Sequence, residues 1–207
     1  MSGLLEGIDI SHHNWSVIKT YGAAWLRRMA ADGFVIMKAS EGCTFTDPKC
    51  AVYTNMINRD PWKDYPCVGY YHYARPEYNT ARDEARHFMD VVHSMGIKNT
   101  GALLALDVEG RALSVPDVGT WSREWLDAVY MEMGVKPLVY CQRSALPLFK
   151  EVVDGDYGLW LAAWTARRPK NVQPWPFMAI WQYSSLGLDK DYFFGSKEQF
   201  RRYAGVK

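Results

Sequence analysis

Strand-like runs that begin about every thirty residues, each followed by a helical pattern, predict an α/β fold with parallel strands and helices outside. Three later strand-like runs follow one another too closely for full helices between them. Polar residues collect at the predicted strand ends, the working face of a parallel barrel. Together these observations predict a TIM-like β/α barrel with eight strands and an incomplete ring of about five helices, near the short limit for that architecture. No Gly-, Pro- or Ser-rich linker, internal repeat or low-complexity segment divides the 207 residues, so the chain reads as one domain, 1–207.

Each element has its own signal. Gly7-Ile-Asp-Ile-Ser11 reads as a first strand that ends in the polar cluster Ser11-His-His-Asn14. From Trp15 to Ala31 an apolar stripe of Trp15, Ile18, Ala23, Leu26 and Met29 predicts a helix. Phe34 to Met37 is the second strand and leads into Lys38-Ala-Ser-Glu-Gly42. Asp47-Pro48 opens the next helix, with Asp as N-cap and Pro at the first helical position, and that helix is expected to end at Arg59. Cys67 to Tyr73 is an aromatic third strand. Thr80 to Met95 is a helix with Ala81, Ala85, Phe88 and Val92 on one side and Gly96 closing it. Gly101 to Gly110 holds the fourth strand, and Val115 to Met133 a helix with Ser114 as cap. Pro137–Tyr140, Tyr157–Ala163, Phe177–Tyr183 and Leu188–Tyr192 are strands five to eight, and Lys197–Tyr203 is a terminal helix.

The fourth strand carries the strongest chemical signal. An apolar run from Ala102 to Leu106 has the length of a strand buried on both faces, and it ends in Asp107 and Glu109. Residues i and i+2 on a strand face the same way, so the two α-carbons sit roughly 6.5–7 Å apart. Carboxylates that close raise each other's pKa, so that one stays protonated as an acid. The other strand ends add Asp9, Lys38, Glu41, Tyr71, His72, Tyr73, Tyr140, Trp164, Gln182 and Asp189. Acids and aromatic rings at one end of a barrel suit a site that grips a sugar and cleaves its bond. Lys38 and Glu41 also read as a structural ion pair. His12 and His13 are adjacent on an extended segment and point apart, which argues against a metal pair.

Composition excludes other classes. A formal net charge of +1 leaves no electrostatic footprint for nucleic acid, and no phosphate-cradling Gly-rich loop is present. No apolar run reaches the length of a membrane span. Nine Trp and thirteen Tyr supply stacking surfaces. Cys43, Cys50, Cys67 and Cys141 show no CxxC or zinc spacing. A turn would bring Cys43 and Cys50 together, but free, partly buried thiols are the default. The N-terminal Met-Ser-Gly-Leu-Leu-Glu-Gly has neither a basic region nor a long apolar core, so it does not read as a Sec signal peptide.

With these residues in place, the chain resembles glycoside hydrolase family 25, the Chalaropsis-type lysozymes that include many phage endolysins. The matching segments are Gly7-Ile-Asp-Ile-Ser-His12, Phe34-Val-Ile-Met-Lys-Ala-Ser-Glu-Gly42, Gly69-Tyr-Tyr-His-Tyr-Ala-Arg-Pro76, Leu106-Asp-Val-Glu109, Pro137-Leu-Val-Tyr140, Leu159-Trp-Leu-Ala162, Ile180-Trp-Gln-Tyr183 and Leu188-Asp-Lys-Asp-Tyr-Phe193. The resemblance implies a single catalytic domain that cuts the β-1,4 bond between N-acetylmuramic acid and N-acetylglucosamine in bacterial peptidoglycan. It implies Glu109 as general acid, Asp107 as its partner carboxylate, Asp9 and Asp189 as two further site acids, and Tyr71, Tyr73 and Tyr140 in the groove. Trp164, where family members often carry Tyr, joins Glu41 and Gln182 to complete the expected substrate-binding set.

No metal or cofactor is expected, and no nucleic-acid partner or stable membrane insertion. The chain is expected to be a monomer. Its expected route is that of a phage lysin, made in the host cytoplasm and released to the wall, with secretion by another path as the alternative. The attacking group stays open between Asp107, the substrate's own N-acetyl group and water. The competing readings are a non-enzymatic glycan-binding module, which the intact Asp-x-Glu argues against, and a chitinase-like hydrolase, whose Asp-x-Asp-x-Glu series is absent. Two departures stand out: Asp191 replaces the family's usual Asn, and the segment from Ser184 to Leu188 is short.

Overall fold

The computed structural model describes residues 3–58, 66–97 and 101–206. The strands are β1 (Leu5–Ile10), β2 (Phe34–Glu41), β3 (Phe45–Thr46), β4 (Val68–Tyr73), β5 (Leu103–Asp107), β6 (Leu138–Gln142), β7 (Gly158–Ala162), β8 (Ile180–Ser184) and β9 (Asp189–Phe193). The helices are α1 (Trp15–Asp32), α2 (Cys50–Ile57), α3 (Ala81–Ser94), α4 (Val118–Met133), α5 (Lys150–Asp154) and α6 (Lys197–Tyr203). The sheet order is β1-β9-β8-β7-β6-β5-β4-β2-β3, and β1 also pairs with β2. That extra pairing closes eight strands into a barrel and leaves β3 as a two-residue ribbon on β2. The eight-stranded α/β barrel expected from strand spacing is therefore present.

The last strand departs from the all-parallel expectation. β9 runs antiparallel to both β1 and β8. The connection from Ser185 to Leu188 is hairpin-sized, whereas a parallel return requires a crossover of a dozen or more residues. The helix starts also differ. Asp47 does not cap α2; its carboxylate accepts the Lys49 amide across a turn, and the helix begins at Cys50. The expected end of that helix at Arg59 lies outside the described residues. α4 begins at Val118, because residues Gly110–Ser114 first form a 3-10 turn. Another 3-10 segment, Arg143–Phe149, and the short α5 fill the β6–β7 connection, where sequence showed no helix. α1 breaks at Gly22, whose φ of 80° and ψ of 169° leave the helical region.

Two apolar layers hold the barrel. The outer one lies between strands and helices and includes Ile10, Val35, Met37, Tyr70, Leu104, Leu106, Val139 and Leu161 against Leu26, Phe88, Trp125 and Leu126. The inner one fills the barrel with Phe34, Ile36, Leu103, Ala105, Leu138, Trp160, Ile180 and Phe193. α6 closes the end where the parallel strands begin. It starts at a capping box, in which the Ser196 side chain accepts the Gln199 amide and the Gln199 side chain accepts the Ser196 amide. That start aims fully buried Phe200 at Phe34 and Phe193, with ring centroids 5.3 Å away in each case. With one pole plugged by aromatic rings, the polar residues of the interior are at the other.

Candidate active site

Interior positions along β5 are Leu103, Ala105 and Asp107, so the alternation that fills the barrel ends in a carboxylate. Asp107 stands in register with Tyr73 on β4 and Tyr140 on β6. Glu109 lies just past the strand but keeps extended backbone, φ −145° and ψ 178°, and so continues the alternation with Val108 buried on the opposite side. Gly110 then turns the chain away at φ 58°, in the left-handed region where glycine carries no Cβ penalty.

The other acids arrive from the barrel's closing seam. Asp9 near the end of β1 pairs in register with Asp189 at the start of β9. Because β9 is reversed, its first residue, not its last, faces the open pole. A cavity of about 280 Å³ there is lined by all four expected acids, Asp9, Asp107, Glu109 and Asp189, together with Tyr71, Tyr140, Trp164 and Gln182. Trp160 and Ser185 line it too, although sequence did not single them out as site residues. Size alone does not mark this place. A hollow of about 600 Å³ beside α6 has one carboxylate in its lining, Asp156, already paired with Lys136 at 2.9 Å.

Gln182 is tied into the protein. Its Oε1 accepts the Tyr140 hydroxyl at 3.0 Å and the Trp164 indole N–H at 3.1 Å, and its Nε2 donates to Asp9 Oδ2 at 2.7 Å. Since an indole N–H only donates, the amide orientation follows from its partners. Gln182 thus orients Asp9 and the Trp164 ring more than it offers free groups to a ligand. Tyr71 and Tyr140 stand edge-on to Trp160, at 6.2 and 4.9 Å between centroids, and form an aromatic floor.

Tyr73 and Glu41 are not in the lining of that cavity. The Tyr73 hydroxyl donates to Glu109 from the side, and its ring lies between Lys38 and Arg75, each 4.6 Å from the centroid. Glu41 is held by both of those cations. Lys38 Nζ reaches its Oε2 at 2.6 Å and Arg75 Nε its Oε1 at 2.8 Å. The register of β2 against β4 slips between Lys38 and Ser40. Such an extra residue lets side chains three apart share a face, which allows the Lys38–Glu41 pair. Glu41 is therefore an ion-pair partner at the site's edge, outside the cavity lining.

Electrostatics set the acids apart from ordinary carboxylates. Burial, and then the charge of Glu109, push Asp107 well above the usual carboxylate range, and its Oδ1 has no hydrogen-bond partner among the described residues. Glu109 is raised by burial. Lys38 opposes that shift, the charge of Asp189 adds to it, and the Tyr73 hydrogen bond holds it back. Asp9 is pushed up to about 7 by burial and then by Asp189, with the Gln182 hydrogen bond opposing. Asp189 is raised by burial. Burial would raise Glu41 as well, but hydrogen bonds from Lys38 and Arg75 outweigh it and hold Glu41 below its ordinary value. Acids with displaced pKa values converging in one cavity mark a site for proton transfer.

A second array has the composition of a nucleophile, base and orienting acid but not the access. Ser40 Oγ lies 2.8 Å from His72 Nδ1, and His72 Nε2 lies 2.8 Å from Glu84 Oε2. All three residues are completely buried, so no substrate meets the hydroxyl. His72 alternates with Tyr71 and Tyr73 and faces away from the interior, where it ties β2 and β4 to α3. His12 donates its backbone N–H to Asp47 Oδ2 and holds the same oxygen through Nδ1 at 2.8 Å. The four cysteines are free thiols, so Cys43 and Cys50 are not bridged. Among the described residues no helix is long and apolar enough to cross a membrane.

Residues 8–192 match the profile described as Glycosyl hydrolases family 25, a span that contains all four acids of the cavity. The chain belongs to glycosyl hydrolase family 25. The N,O-diacetylmuramidase of Chalaropsis sp is 26% identical to it over 216 residues, covering 97% of this chain and 99% of that one. Lysozyme M1 of Streptomyces globisporus is 25% identical over 219 residues, covering 93% of this chain and 68% of that one. The solved muramidase from Trichobolus zukalii superposes with a TM-score of 0.77 at 24% identity, across 97% of this chain and 98% of that one, and so shares the fold. As a family 25 enzyme the chain is a glycosidase, and the open pole of its barrel carries the paired carboxyl groups that glycoside hydrolysis uses.

Proposed function

We propose that this family 25 glycosidase is a muramidase, acting as one catalytic domain on the β-1,4 bond between N-acetylmuramic acid and N-acetylglucosamine in bacterial peptidoglycan. The observation that carries the reading is the placement of Asp107 and Glu109 on one face at the open pole, with Asp9 and Asp189 across the same cavity. Glu109 is the more exposed of the first pair and acts as general acid, protonating the glycosidic oxygen. Asp107 lies deeper, beneath the sugar that gains positive charge. That charge favours the ionised forms of Asp107, Asp9 and Asp189. Their stabilisation therefore grows from ground state to transition state, which is the condition for acceleration. Trp164, 64% exposed and anchored through Gln182, offers an aromatic face to the glycan beside the cavity.

The test is mass spectrometry of digested, borohydride-reduced peptidoglycan. Reduced muramic acid at the new ends is the expected product. Reduced glucosamine would instead make the enzyme a glucosaminidase. Glu109→Gln is expected to lower kcat at least a hundredfold while the protein stays folded, consistent with the ~10²–10⁴-fold contribution of general acid catalysis. Wall lysis retained by that variant would remove Glu109 from its role.

A further inference from the structure

One rung below Asp9, a third carboxyl lies on the closing seam. In the β1–β9 ladder Asp9 stands opposite Asp189, and Asp191 stands opposite Gly7. Asp191 shares the interior face of β9 with Asp189 and Phe193 and is completely buried. Opposite it, Gly7 leaves space for Phe34, whose ring and carbonyl oxygen a Cβ there would meet at 2.5 Å. Asp191 Oδ1 accepts the Trp160 indole N–H at 2.8 Å. Its Oδ2 has no donor among the described residues, and the carboxyl is within hydrogen-bonding reach of Asp9.

Two ionised carboxylates in such contact present acceptor to acceptor, and a buried contact of that kind persists only if one of them carries a proton. Asp9 already accepts Gln182 Nε2, and it faces the cavity where negative charge is useful. Asp191 faces no solvent. The groups around Asp191 are Asp9 from β1, Asp189 from its own strand, Tyr140 from β6, Gln182 from β8 and Trp160 from β7. None of them is a cation that would compensate a second charge.

We propose that Asp191 is a positioning residue for this site: a buried carboxylic acid that keeps its proton and donates it to Asp9, so that Asp9 is held from below by Asp191 and from the side by Gln182. Burial, and then the charge of Asp9, hold the Asp191 carboxyl well above the ordinary range, in accord with the geometry. Where Asn stands, the amide N–H would supply the same donor without a titrating proton. The role rests on the muramidase reading for its kinetic consequence but not for its chemistry.

The test uses the whole protein labelled with ¹³C at aspartate carboxyl groups, as wild type, Asp191→Asn and Asp191→Ala. A protonated-carboxyl resonance beside that of Asp107 is expected to persist above neutral pH in the wild type, and it alone is expected to be missing from Asp191→Asn. The Asp9 titration midpoint is expected to move up in Asp191→Ala, which lacks the donor, and to return in Asp191→Asn. On peptidoglycan, Asp191→Asn is expected to stay within a few-fold of wild type. Asp191→Ala is expected to lose roughly tenfold to a hundredfold in kcat, the scale of a misplaced site group, with KM little changed. An ionised Asp191 at neutral pH, or an Asn variant as impaired as the Ala variant, overturns the proposal. If the wild type cuts no wall at all, the muramidase reading fails while the spectra still decide the fate of the Asp191 proton.

Discussion

Asp107 is placed where an ionised carboxylate is most expensive: buried, beside Glu109, with one oxygen unpartnered. Replacing it with the isosteric amide removes that cost together with its chemistry. Asp107→Asn is therefore expected to abolish turnover and to raise Tm at neutral pH by several degrees, since each kcal/mol shifts a domain of this size by about 2–4 °C. Calorimetry of the inactive variant checks it, and an unchanged or lower Tm would mean that Asp107 is well solvated or paired. At this scale the sequence was legible where chemistry has a spacing. Asp107 and Glu109 announce themselves as i and i+2 after an apolar run, and Asp9 as the acid in a short strand. Trp160 was not legible as a lining residue. β7 is buried on both faces, so no alternation of polarity tells which side is interior. Glu41 was legible as a partner of Lys38, but Arg75, thirty-four residues away, left no signal that it would hold the same carboxylate outside the cavity lining.

At the scale of elements, barrel closure and the plug at the opposite pole set the geometry. β9 delivers Asp189 to the open end only because it runs backwards, yet an antiparallel strand and a parallel one carry the same period-two pattern. Only the shortness of the Ser184–Leu188 segment hinted at the direction. The helices were legible through their stripes, and α6 through its Ser196-x-x-Gln199 signature, while β3 and α5 are too short to leave a periodic trace. The plug is the element most open to test. Phe200→Ala empties a fully buried aromatic site beneath the barrel floor and is expected to cost about 3–5 kcal/mol. Chemical denaturation measures the loss. A cost below 1 kcal/mol would show that the barrel needs no closure at that end.

For the molecule as a whole, five carboxyl groups with raised pKa values give stability a pH slope. Asp9, Asp107, Glu109, Asp189 and Asp191 all hold protons that the unfolded chain releases at ordinary carboxylate values. The folded state then binds more protons than the unfolded state, so stability is fully present below the unfolded values and falls as pH rises through the folded ones. For Asp9 that window runs from its ordinary 3.8 to about 7. Three groups act oppositely, His72, Glu41 and the fully exposed Glu198. Burial lowers His72, whose neutral form favours the fold above its ordinary 6.5, and the stability Glu41 adds is lost as pH falls. The two glutamates act below their ordinary 4.5, so between about pH 5 and about pH 8 the raised acids meet only His72, which predicts a Tm that declines over that range, with a shallower decline in Asp107→Asn. A scanning-calorimetry series at fixed ionic strength checks the sign, and a Tm that climbs over that range would mean the cavity acids are ionised. The barrel as a class was legible at this scale from strand spacing alone. The pH slope was not, because it depends on which side of each strand is dry.

The reversed last strand also decides how the molecule can be held. β1 starts, and β9 ends, at the pole that α6 plugs, and Gly3 packs beside Gly195 and Ser196 there. Both ends of the described chain are consequently on the far side from the cavity. A bead, a surface or a fused binding module attached through either end leaves the catalytic mouth facing outward, toward whatever polymer it is offered.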